Sequence, residues 1–140
     1  MPIKRIYIAG AFEDKSFLRF RRDEIEAIGH VVTSSWLDET LSTNPGLAAR
    51  YVTDVITPEA ARAIAVRDLS EVHASDVLLI DTNGTNVRMG REVEFGYALA
   101  HGEQTIQTVI VGPRRNVFHE LAGKQFGTWK EALKWLTKSE

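Results

Sequence analysis

The chain has 140 residues, 44% of them hydrophobic and 26% charged, with a formal net charge of −2 and no cysteine. That length suits one domain with a real core and is too short for two, and the composition excludes general disorder. A charge this close to neutral excludes a surface built to coat nucleic acid, and the missing cysteines exclude disulfides, thiolate nucleophiles, iron–sulfur clusters and Cys-based zinc sites.

The chain opens directly into Lys4 to Gly10, an apolar run that reads as a first strand buried on both faces. No charged leader precedes it and no apolar run approaches a membrane span, so a cytoplasmic protein that does not enter the membrane is expected. Phe12 to Ser16 reads as a short loop in which Asp14 or Ser16 caps the next helix. That helix carries Phe17, Leu18, Ile25 and Ile28 at helical spacing and ends at Gly29. His30 to Ser34 is a second short strand. Trp36 to Thr57 is a long connection rich in Thr, Asn, Pro and Gly, of the kind that forms a lid or an irregular helix. Trp36 itself reads as core.

Thr57 and Pro58 then announce a helix, with Ala61, Ala65, Leu69 and Val72 as its apolar stripe and Arg67 and Asp68 beside it. Asp76 to Asp81 is the clearest strand. A polar loop, Asp81 to Thr85, leads to a helix from about Gly90 to His101. Thr108 to Gly112 is a fourth strand, Val117 and Phe118 begin a short fifth, and Trp129 to Leu136 form a last helix. This alternation implies a single-domain α/β sandwich of three layers, flavodoxin- or Rossmann-like, with about five mostly parallel strands and right-handed crossovers.

Ligands of such sheets bind beyond the carboxyl ends of the strands. Three segments should meet there: Gly10 to Phe12, Asp81 to Arg91, and Gly112 with Pro113. The P-loop and dinucleotide fingerprints are missing, as is a nucleophile elbow. His30, His73, His101 and His119 are scattered without ligand spacing, so no metal ion and no cofactor is expected. What remains is carboxylates: Asp68, Asp81, Glu92 and Glu94. Positions two apart on a helix point to opposite sides, so Glu92 and Glu94 cannot share one role. On spacing alone, both could simply decorate the first turn of a helix.

In order and spacing, Ile6-Tyr7-Ile8-Ala9-Gly10, Arg67-Asp68-Leu69 and Glu94-Phe95-Gly96-Tyr97-Ala98-Leu99-Ala100 resemble the nucleoside 2-deoxyribosyltransferase family and the related 2′-deoxynucleoside 5′-monophosphate N-glycosidases. The resemblance implies an enzyme that cleaves an N-glycosidic bond. Glu94 would attack the anomeric carbon, form a glycosyl ester and yield a product of retained configuration, as in retaining glycosidases. Tyr7 would hold Glu94, and Asp68 would bind the sugar hydroxyls. Around them, Gly10 would border the substrate. Phe12 would stack on the base or pack under the loop. Asp81 and Asn83 would contact the base or orient neighbours, and Met89 and Gly90 would shape the pocket wall. Arg67 would join the site or a surface ion pair.

The family also implies a nucleoside or nucleotide substrate and a homo-oligomer whose sites a neighbouring subunit completes. Arg114 to Phe118 and the helix bearing Glu94 are the candidate contacts. Nothing points to a nucleic-acid polymer as partner. Transfer of the sugar to a second base is the first reading, since the Ser-rich phosphate clamp of the hydrolases is absent near Gly10, where Ala11 stands. Hydrolysis of a monophosphate, with Lys15, Ser16, Arg19, Arg88 and Arg91 as anion partners, is the alternative. A domain that binds nucleotides without chemistry is a third reading.

Overall fold

The computed structural model describes residues 2–39, 57–84 and 89–138. Its five strands are β1 (Arg5–Ala9), β2 (Val31–Val32), β3 (Val77–Asp81), β4 (Gln107–Val111) and β5 (Lys124–Phe126). They form one sheet in the order β2-β1-β3-β4-β5, every pair parallel. Four α-helices are described: α1 (Lys15–Ile28), α2 (Pro58–His73), α3 (Met89–His101) and α4 (Trp129–Thr137). The order reverses at β1, and the chain crosses to β3 on the other side of it, so right-handed crossovers put α1 opposite α2 and α3. Accordingly α1 packs with α4, and α2 packs with α3. This is the expected three-layer, flavodoxin-like arrangement.

The centre of the sheet is the core. All five residues of β3 are buried, as are Ile6 to Ala9 of β1. Such continuous apolar strands need helices on both faces, which is why they read so clearly in the sequence. Thr57 caps α2 by accepting from the Ala60 N–H at 3.1 Å, with Pro58 at the first helical position. Gly29 ends α1 at φ 115°, a backbone conformation that favours glycine.

Several boundaries differ from expectation. The second strand pairs over two residues only. After Thr33 N–H reaches the Ile6 carbonyl, Ser34 Oγ instead accepts from Ile8 N–H, and a 3₁₀ turn begins at Ser35. Phe12–Asp14 is a 3₁₀ turn rather than a loop, and α1 starts without a side-chain cap from either Asp14 or Ser16. Phe17 is exposed, its ring under the Arg21 guanidinium. On α2, Ala65 is exposed, whereas Ala61 and Leu69 are half-buried and Val72 is buried; Ile64 and Asp68 are half-buried as well. Val117 and Phe118 belong to an exposed 3₁₀ turn, Val117–Leu121, and the fifth strand is Lys124–Phe126. Trp36 is buried, its Nε1–H donating to the Ile8 carbonyl at 2.9 Å. Most of the proposed lid, residues 40–56, lies outside the described residues.

Candidate active site

Strand alternation on β1 sends Ile6 and Ile8 toward one face and Tyr7 toward the other, under α2 and α3. Tyr7 is fully buried, and its hydroxyl donates to Oε2 of Glu94 at 2.8 Å. The two residues lie 87 positions apart in sequence, so the fold itself makes this contact. Tyr7 occupies one carboxylate oxygen, and no described residue hydrogen-bonds Oε1.

Burial pushes the Glu94 carboxyl up to about 8; the Tyr7 hydrogen bond opposes that rise, and the negative charges of Asp68 and Glu71 add to it. The same burial, with the charges of Glu94 and Asp68, drives the Tyr7 phenol far above its ordinary value, so it remains a donor at any working pH. Asp68, one helix across, is also raised by burial, while its neighbour Arg67 pulls it down. Arg67 donates to Oδ1 of Asp68 from Nε (3.1 Å) and Nη2 (2.7 Å), and pairs on its far side with Glu39. Glu71 accepts from Ser35 N–H at 3.0 Å and from the Ser35 hydroxyl. Tyr7, Arg67, Asp68, Glu71 and Glu94 therefore gather at one end of the α2–α3 layer.

The remaining expected site residues divide. Gly10 sits where a Cβ would come within 2.5 Å of Leu18, so its smallness lets the loop after β1 close on α1. Phe12 packs against the core, with the Lys15 ammonium 4.8 Å from its ring centre. Asp81 is buried and holds its own loop. Its Oδ1 accepts from Trp129 Nε1–H (3.3 Å), Asn83 N–H (3.3 Å) and Asn83 Nδ2 (3.4 Å), and burial raises its carboxyl. Asn83 also donates to the Val111 carbonyl. Gly112, at φ 125°, brings the loop after β4 against Thr82 and Asn83, so the strand-end loops do meet.

Met89 lies apart from the Tyr7–Glu94 contact. It lines a groove of about 680 Å³ with Val93, Phe95, Gly96, Arg115 and Phe118, which Glu94 does not line. Gly90 is exposed at the start of α3, with open space where a Cβ would stand. Glu92 points away from Glu94 as helical geometry requires, and its carboxylate is engaged by His119, Asn116 and Arg91. Among the expected anion partners, Arg91 is buried and donates to the Asp81 carbonyl at 3.1 Å. Lys15 donates to the Glu39 carbonyl. Arg88 falls outside the described residues. Sequence reasoning missed Glu39, Glu71 and His119. All three act through partners distant in the chain, which no local motif reports. Among the described residues no three acidic or histidine side chains stand together so as to hold a metal ion, and no helix is long and apolar enough to cross a membrane.

The all-parallel five-stranded sheet with helices on both faces is a nucleoside 2-deoxyribosyltransferase-like fold, as comparison with solved structures shows. The chain superposes on a 2-deoxyribosyltransferase from Bacillus psychrosaccharolyticus with a TM-score of 0.64 at 14% identity, covering 97% of this chain and 92% of that one. It also matches a conserved protein from Enterococcus faecalis V583 (TM-score 0.62, 16% identity, 96% and 98% covered). A third match is the CMP N-glycosidase BcmB from Clostridium botulinum (TM-score 0.52, 17% identity, 95% and 98% covered). No protein-family model and no curated protein matches the chain.

Proposed function

We propose that this chain cleaves the N-glycosidic bond of a nucleoside, with Glu94 as nucleophile, and passes the sugar to a second base. The observation that carries the reading is the Tyr7–Glu94 hydrogen bond at 2.8 Å. It fixes one carboxylate oxygen and leaves the other for a substrate. Ionised Glu94 attacks the anomeric carbon through Oε1; the C–N bond breaks, its electron pair leaves with the base, and that base takes up a proton from water. A nitrogen of the incoming base then attacks the same carbon, the ester C–O bond breaks, the carboxylate is restored, and the proton of that nitrogen is released to water. The oxocarbenium-like charge of each transition state sits against Glu94, with Asp68 and Glu71 near by. Asp68, held by Arg67, presents its other oxygen to the sugar hydroxyls. Two of the structural neighbours bear names for N-glycosidic chemistry, which supports the reading. Transfer is preferred to hydrolysis of a monophosphate because Ala11 stands where the hydrolases' Ser-rich phosphate clamp is expected, and because Arg91 and Lys15, two of the expected anion partners, donate to backbone carbonyls of the chain.

The chain is further read as a homo-oligomer. Met89, Val93 and Phe118 are 73%, 58% and 64% exposed and border the apolar groove on α3, a surface that a second copy of the chain could cover.

The test is chromatography of the purified protein with deoxynucleosides and deoxynucleoside monophosphates, each with and without a second free base. A new nucleoside formed only with the second base is the expected result. Free base released without an acceptor, faster from monophosphates, makes the protein a hydrolase. Intact substrates throughout leave a binding domain. Because Glu94 titrates at about 8, kcat/KM for cleavage should climb with pH and level off above that value.

A further inference from the structure

Beneath the loops after β3 and β4 lies a polar cluster that the proposed reaction does not touch. His119 is fully buried. Its Nδ1 accepts the Arg115 backbone N–H at 2.9 Å, which leaves the ring proton on Nε2, and Nε2–H donates to Glu92 Oε1 at 2.8 Å. Asn116 Nδ2 donates to the same oxygen at 2.9 Å, and Arg91 Nε reaches Oε2 at 3.3 Å. The His119 ring also meets Phe95 edge to face, with centroids 5.3 Å apart. Two arginines extend the cluster to the end of β3. Arg91 donates to the Asp81 carbonyl at 3.1 Å, and Arg115 to the Thr82 carbonyl at 3.0 and 2.9 Å.

This is expensive to bury and is well satisfied, so it holds one geometry. Its attachment points are informative. Glu92 and Phe95 bracket Glu94 on the first turns of α3, and their side chains are gripped from the side facing away from Tyr7. A helix gripped there cannot rotate or slide without moving Glu94 off the Tyr7 hydroxyl.

We propose that His119 is a positioning residue: by holding Glu92, it fixes the rotation of α3 that brings Glu94 onto Tyr7. The proposal rests on the reading of Glu94 as nucleophile. A displacement of about 1 Å at a reacting group is enough to cost about 100-fold in rate.

His119→Phe keeps an aromatic ring beside Phe95 but removes both hydrogen bonds. Glu92→Ala removes the grip from the helix side, at a partly exposed position that tolerates truncation if His119→Phe does not fold. Glu92→Gln is the conservative variant, since its amide oxygen still accepts from His119 and Asn116. Either disruptive variant should lower kcat by about 10- to 100-fold with KM little changed. It should also move the rising limb of the pH profile upward, because the Tyr7 bond that lowers the Glu94 carboxyl is loosened. Glu92→Gln should restore both. A role in folding alone would lower the amount of active protein and leave the limb in place.

Titration of the Glu94 carboxyl carbon by NMR in wild type and Glu92→Ala needs no turnover. If the wild type cleaves no glycosidic bond, the reading of the reaction has failed and this titration decides the positioning role alone. An unmoved Glu94 titration in folded Glu92→Ala, or wild-type kcat in folded His119→Phe, overturns the proposal.

Discussion

Asp81 and Glu94 are both carboxylates at the carboxyl end of the sheet, and burial raises both. Their surroundings differ. Asp81 Oδ1 takes hydrogen bonds from the Trp129 indole and from the backbone and side chain of Asn83. Glu94 takes one, from Tyr7, and faces the charges of Asp68 and Glu71 rather than further donors. A buried carboxylate whose oxygen is filled by the protein's own donors serves the loop it closes. One left with an unfilled oxygen and acidic neighbours is held in tension, and substrate or catalysis can use that. The largest expected effect breaks this contrast at its active end. Glu94→Ala should lose about 1,000-fold or more of glycosyl cleavage while its circular dichroism and unfolding transition stay intact. Asp81→Asn, which keeps an oxygen for Trp129, should remain within about tenfold of wild type on the same assay. Equal losses would show that the donors around Asp81 do not set it apart.

The structural end gives the next effect. Asp81→Ala strands the Trp129 indole N–H in the core without an acceptor and frees Asn83. Leaving a buried donor unsatisfied costs about 1–3 kcal/mol. Urea unfolding should therefore show a lower midpoint with an unchanged slope, and a changed slope would instead point to a rearranged native state.

This contrast was only partly legible in the sequence. The strands with two buried faces announced themselves as apolar runs, and the Thr57–Pro58 start of α2 was visible because capping chemistry is local. Tyr7, Asp68 and Glu94 came from a resemblance in which order and spacing carry the signal. β5 was missed because Lys124-Gln125-Phe126 is a three-residue edge strand that needs no apolar run, while Val117 and Phe118 have strand-like side chains but sit exposed on a 3₁₀ turn. Asp81 reads in the sequence as a site residue or a loop cap, and the indole that its carboxylate accepts from lies 48 positions away, where no local pattern reports it. His119 was set aside for lack of metal-ligand spacing; its partner Glu92 is 27 residues distant and invisible to any local pattern.

The smallest expected effect concerns stability, and its sign follows from the direction of the Glu94 shift. The folded chain holds the Glu94 proton up to about pH 8, whereas an unfolded chain releases it near the ordinary value of 4.5. Between those limits the folded state binds more protons than the unfolded one, so this group's contribution is full below pH 4.5 and is lost as pH rises toward 8. Above that it changes no further. Glu94→Gln cannot ionise, and its stability should lack this component of the slope. Wild type and variant should therefore melt together near pH 4.5, and the variant should melt higher at pH 8.5. Paired melting curves at those two pH values read the difference directly. A variant that melts no higher than wild type at pH 8.5 would mean that the fold accommodates ionised Glu94 without cost, and the contrast with well-satisfied Asp81 would lose its energetic basis.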